Sequence, residues 1–82
     1  MFQVELIVRP RRGVRDPQGE AVEEALKGLG YRELRVEAVG RYLLLDIAAD
    51  TQEQARAQID EMCRQLLVNP NLETYELTIT KK

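Results

Sequence analysis

Histidine and tryptophan are both absent from this 82-residue chain. Losing histidine removes the commonest general base, the usual base of a nucleophilic triad and the commonest metal ligand. One cysteine, Cys63, remains. Without histidine it cannot complete the usual zinc ligand sets, and with no second cysteine there is no internal disulfide, which fits a reducing compartment. Aromatic residues make up only 5% of the chain, too few for the stacking platforms that hold single-stranded nucleic acid. No apolar run approaches the roughly 20 residues that span a bilayer. The opening Met1-Phe2-Gln3-Val4-Glu5-Leu6 has neither the basic stretch nor the cleavage site of a signal peptide. A cytoplasmic location is therefore the expectation. The formal net charge is -2, with acids and bases interleaved along the chain, which argues against nucleic acid and anionic membranes as partners.

With 44% hydrophobic and 32% charged residues, the composition is that of an ordinary globular protein. The length suits one domain, residues 1–82, with a thin core: a chain this size buries about 60–65% of its unfolded surface. Phe2, Val4, Leu6 and Val8 alternate with Gln3, Glu5, Ile7 and Arg9, which predicts a half-buried strand ending at Pro10. Asp16-Pro17 reads as the cap and first position of a helix whose apolar positions are Val22, Ala25, Leu26 and Leu29, stopped by Gly28 and Gly30. Leu34, Val36 and Ala38 alternate as a second strand, and Tyr42 to Ile47 forms a third, joined by a hairpin near Gly40. Asp50-Thr51-Gln52-Glu53 resembles a capping box with Asp50 as cap. It opens a second helix whose buried stripe is Ala55, Ile59, Met62, Cys63, Leu66 and Leu67, closed by Asn69-Pro70. Tyr75, Leu77 and Ile79 mark a fourth strand.

The order β-α-β-β-α-β predicts an α+β, ferredoxin-like fold: a four-stranded antiparallel sheet with strands one and three central and two helices on one face. Few features in it could carry chemistry. Arg9, Arg11, Arg12 and Arg15 gather near the first helix, but Asp16 would fill its cap and no glycine-rich fingerprint accompanies them, so a solvated or partner-contacting loop is the expectation. Glu23, Glu24, Asp60 and Glu61 fall on outer helix faces, not in an environment that drives two carboxyl pKa values apart. Cys63 reads as a small buried hydrophobe, since no base is at hand to activate it. Tyr31, Tyr42 and Tyr75 read as core or interface residues. No catalytic, cofactor-binding or metal-binding residue is assigned. One feature stands out. Ile7, Tyr42 and Leu44 should form a contiguous apolar patch on the helix-free face of the sheet, where polar residues belong. With Arg11 and Arg12 they are the candidate oligomer or partner interface. The patch and the thin core predict a homodimer or larger homo-oligomer; in one variant the last strand crosses to a neighbour.

Three segments, Asp16-Pro17-Gln18-Gly19, Val39-Gly40-Arg41-Tyr42 and Met62 to Pro70, the last followed by Glu73-Thr74-Tyr75, resemble those of the PurS family, the small subunits of phosphoribosylformylglycinamidine (FGAM) synthase. The likeness runs over essentially the whole chain, with Arg41 where the family often has lysine. The resemblance implies a non-catalytic structural subunit of a glutamine-dependent C–N ligase complex (EC 6.3.5.3) in de novo purine biosynthesis. That complex converts formylglycinamide ribonucleotide, glutamine and ATP to formylglycinamidine ribonucleotide. The resemblance also implies a PurQ-type glutaminase and a PurL-type synthetase as partners, ATP and magnesium used on the synthetase subunit, and a part for this chain in ammonia transfer. Two further readings are a small-molecule-binding regulatory ferredoxin-like domain, by fold analogy alone, and an acylphosphatase-like enzyme, which Asp16 and Pro17 disfavour by displacing the free amides its anion loop needs.

Overall fold

Alternation along the first nine-residue strand sets the core. In the computed structural model, which describes residues 1–82, β1 (Phe2–Pro10) buries Phe2, Val4, Leu6 and Val8 and turns Glu5, Ile7 and Arg9 outward. It lies between β2 (Arg41–Ile47) and β3 (Glu73–Lys81), antiparallel to both, in the order β2-β1-β3. Val4 sits opposite Leu45 and Ile79, and Leu6 opposite Leu43 and Leu77, so one face of the sheet is continuously apolar. A one-residue slip would turn that whole set to water, which is why the register is strongly specified. Helix α2 (Gln52–Met62) covers this face with Ala55 and Ile59.

The cap of α2 lies one residue later than the sequence reading placed it. Thr51 accepts from the Gln54 N–H at 3.2 Å, and the Gln54 side chain accepts from the Asp50 N–H at 3.0 Å. Thr51 beats Asp50 because its hydroxyl is at the cap position proper, three residues before the amide it satisfies. Thr51→Ala is expected to cost about 0.5–2 kcal/mol and Asp50→Ala less; urea midpoints give the ranking.

The buried stripe of α2 also departs from expectation. Residues Cys63–Leu67 form a π turn, closed by the Val68 N–H donating to the Cys63 carbonyl at 3.1 Å. The extra residue in that turn shifts the phase of the helix. Cys63 and Val68 are buried and Leu67 is half-buried, but Leu66 is 83% exposed and Met62 lies at the rim.

The largest correction concerns the first half of the chain. The sheet has three strands, not four, because residues 32–40 make no backbone–backbone hydrogen bond, and the expected hairpin at Gly40 does not form. β2 is therefore an edge strand where a central one was expected. At Gly40 the chain passes so close to β1 that a Cβ would collide with the Val8 carbonyl oxygen. The segment then runs beside α1 (Pro17–Gly28): Val39 N–H donates to Asp16 Oδ2 and Val36 N–H to Glu23 Oε1, both at 2.8 Å. These bonds use Asp16 and Glu23, which were expected to cap the helix and to face water. They also hold 32–40 away from the open edge of β2. Helix α1 does not cover the sheet beside α2; its only buried residue is Gly19, where a Cβ would press on the Asp16 carboxylate at 2.6 Å. Val22, Ala25 and Leu29 are exposed and Leu26 half-buried. The molecule is accordingly long, with a radius of gyration of 16.2 Å, against about 12 Å for a compact chain of this length.

Candidate partner interface

At one end of the sheet the finish of β1, the starts of β2 and β3 and the end of the π turn converge. Arg41 begins β2 on the helix-covered side, so its guanidinium reaches across β1. It donates to both oxygens of Glu73 at 2.9 and 3.0 Å and to the Leu67 carbonyl at 2.9 Å. The Asn69 N–H donates to Glu73 Oε1 at 2.9 Å. Arg11 closes the same end, donating through its side chain to the Pro70 carbonyl and through its backbone to the Leu72 carbonyl, both at 2.9 Å. Six hydrogen bonds thus pin the irregular 67–73 connection, most of them charge-assisted, the kind that fixes geometry. The Asn69 N–H, followed by Arg41, holds the Glu73 carboxyl below its ordinary value of 4.5. Val36 N–H and Lys27 do the same for Glu23.

Because both folded-state values are depressed, their stabilising contributions are present above pH 4.5 and are lost as pH falls through the folded values. Urea midpoints are expected to fall between about pH 6 and about pH 3, and Glu73→Gln to flatten part of that slope.

The helix-free face presents the residues singled out as an interface. Ile7 and Tyr42 are directly paired across β1 and β2, and Leu44 lies two residues along β2 on the same face. They are 44%, 58% and 56% exposed. The patch is not purely apolar: Glu5 stands opposite Leu44, and Glu76 opposite Ile7 with an ion pair to Arg9. Desolvation and the nearby Glu5 carboxylate push the Tyr42 phenol up. Arg11 and Arg12 lie apart from this face, in the turn after β1, and only Arg12 is free. Sequence reasoning missed the structural use of Arg11, Arg41 and Glu73. The available signal was that Arg41, Asn69 and Glu73 all fall inside the segments that carry the family resemblance.

Nothing in this end or face resembles a reaction centre. Cys63 is 1% exposed, and burial pushes its thiol up, with Asp60 adding to the effect. Tyr75 donates to Asp60 at 2.8 Å, so that phenol is engaged in holding α2 to β3. No group of three or more cysteine, aspartate or glutamate side chains is placed to hold a metal ion. No helix is long and apolar enough to cross a membrane.

A family model described as PurS, phosphoribosylformylglycinamidine (FGAM) synthase, matches residues 3–81. The chain belongs to the PurS family. The phosphoribosylformylglycinamidine synthase subunit PurS of Thermotoga maritima is 38% identical over 80 residues, covering 94% of each chain. The solved PurS of Bacillus subtilis superposes with a TM-score of 0.87 at 33% identity, covering 99% of this chain and 100% of that one. A chain in the solved PurLQS of Thermotoga maritima matches with a TM-score of 0.81 at 31% identity, over 98% and 99%. Members of the PurS family are subunits of FGAM synthase (EC 6.3.5.3), a ligase of purine biosynthesis, and this chain is one of them. Its architecture, two helices and a three-stranded antiparallel sheet, matches that of the solved PurS chains.

Proposed function

We propose that the chain is the non-catalytic structural subunit that joins a PurL-type synthetase to a PurQ-type glutaminase and assists the passage of ammonia between them. The observation that carries this reading is the whole-length likeness to a chain of the Thermotoga maritima PurLQS structure. The absence of histidine, the engaged Tyr75 phenol and the buried thiol support a role outside the chemistry. In this reading ATP and magnesium are handled by the synthetase subunit, and the assembly works in the cytoplasm. This chain by itself turns nothing over, while leaving it out abolishes glutamine-dependent formation of formylglycinamidine ribonucleotide by the two larger subunits. The test is an assay of those subunits with and without it. Full glutamine-dependent activity in its absence would falsify the reading.

Self-association belongs to the same proposal. Only ten of the 82 residues are buried, the outer edge of β2 is unpaired, and residues 32–40 make no backbone–backbone hydrogen bond. Open strand edges recruit other strands. A second copy offers the matching piece, since the strand and helix missing from one sheet are those that extend from the other molecule. Reciprocal exchange of that kind is a low-cost route to a closed dimer.

A further inference from the structure

The end of β1, the 11–16 connection and the 35–38 segment border a groove of about 790 Å³, within the range of about 300–1,000 Å³ that small-molecule sites occupy. None of the sheet-face residues Ile7, Tyr42 and Leu44 lines it. Arg9, Arg11, Arg12, Arg15 and Arg35 do, together with Glu20 and Glu37. Ion pairs settle part of this charge: Arg9 is met by Glu76, and Arg15 by Glu20 at 2.9 Å. The Arg11 side chain donates to the Pro70 carbonyl, a neutral acceptor. The Arg12 and Arg35 guanidiniums and the Glu37 carboxylate make no ion pair or hydrogen bond. Three cations therefore stand against one carboxylate, and two positive charges are left unmet in a chain whose net charge is -2. Asp16, the next acid along the chain, accepts from the Val39 N–H at 2.8 Å and is not in the lining. Arg12 is carried at the corner of a turn closed by the Val14 N–H to the Arg11 carbonyl at 3.2 Å, and Gly13 beside it adopts the φ of +80° that such a turn requires.

We infer that this groove binds a phosphate group, free or esterified on a small metabolite, with Arg12 and Arg35 donating to its oxygens. A phosphomonoester carries a charge of about -1.5 to -2 at neutral pH, which is the charge the groove leaves unmet. Every base in the lining is an arginine. The planar guanidinium keeps its proton at any physiological pH and matches two phosphate oxygens at once. The lining also argues for a small polar ligand over a protein segment. A docked segment is anchored by apolar or aromatic side chains in a dry pocket, and Val14 and Ala38 offer little for them to fill. Glu37 is the one opposing charge without a partner, so it weakens the site without cancelling it. The site needs only this chain, and its occupancy is a separate matter from the role in the synthase assembly.

The test titrates inorganic phosphate, ribose 5-phosphate and succinate into the full chain by calorimetry at low ionic strength and about pH 7.5, where the ester is dianionic. The parent is expected to bind both phosphates and to prefer them to succinate. The Arg12→Ala, Arg35→Ala double variant should bind about 10–100-fold more weakly, through the loss of two charge-assisted contacts. Glu37→Gln should tighten binding about 2–5-fold by removing the opposing carboxylate. The control is Arg32→Ala with Lys81→Ala, which takes the same charge from exposed positions outside the lining. It should change affinity by no more than about twofold. Circular dichroism confirms that the variants fold, as unpartnered surface side chains predict. Tighter binding of ribose 5-phosphate than of inorganic phosphate assigns the site to a phosphorylated metabolite, and equal binding assigns it to the free anion. A parent that binds neither phosphate, or a double variant that binds as well as the parent, overturns the inference. So does a control that loses as much as the double variant, because net charge alone would then explain the binding. Succinate bound as tightly as phosphate overturns it too, in favour of a carboxylate site.

Discussion

Ile59→Ala is expected to lower stability by about 2–5 kcal/mol. Ile59 is fully buried at the centre of α2, between Ala55 and Cys63, and seals the apolar face of the sheet over β1. Only nine hydrophobic residues make up this core, so no neighbouring layer can collapse into the space that truncation leaves. Domains of this size are stable by about 5–15 kcal/mol in total, so the loss is a large share of what holds the chain folded. Leu66→Ala is the matched control, with the same chemistry on the same helical run. Leu66 is 83% exposed beyond the π turn, and its truncation is expected to stay within about 0.5 kcal/mol. Urea midpoints with unchanged m-values decide the comparison. A Leu66→Ala loss equal to that of Ile59→Ala would mean that residues 63–67 continue as a regular α-helix.

That contrast marks where the sequence was legible. Alternation in β1 and β3 and the spacing of Ala55 and Ile59 were readable because each residue faces a partner its own period dictates. The phase of Leu66 was not, because a π turn leaves no mark in hydrophobic periodicity when both neighbouring positions are apolar. Thr51 and Asp50 are both good caps in adjacent positions, so composition alone could not rank them. The fourth strand failed for a different reason. Leu34, Val36 and Ala38 do alternate, yet the segment forms no strand. What local pattern cannot encode is whether an extended segment pairs within its own chain, and here Asp16 and Glu23 hold it at α1 while the chain departs from the sheet at Gly40. The pairing of Ile7 with Tyr42 was legible from the strand pattern, while Glu5 opposite Leu44 makes that face less apolar than the pattern suggests.

Leu44→Asp is expected to convert an oligomeric parent into a 9.4 kDa monomer while leaving its helices intact. Leu44 is the middle residue of β2, the strand whose outer edge is open, and it lies on the helix-free face near Ile7 and Tyr42. A second copy that covers that face must bury Leu44. An aspartate there would be desolvated without a cation, with Glu5 directly opposite to raise the cost further. The fold of the single chain does not depend on the position, since Leu44 is 56% exposed and the core lies on the other face of the sheet. Light scattering measures both proteins, and circular dichroism follows the helices. A parent that is monomeric at every concentration removes self-association from the proposal. A variant of unchanged mass removes the face as the contact, and leaves the β2 edge and the exposed apolar side of α1, with Val22 and Leu29, as the surfaces for a second copy to cover.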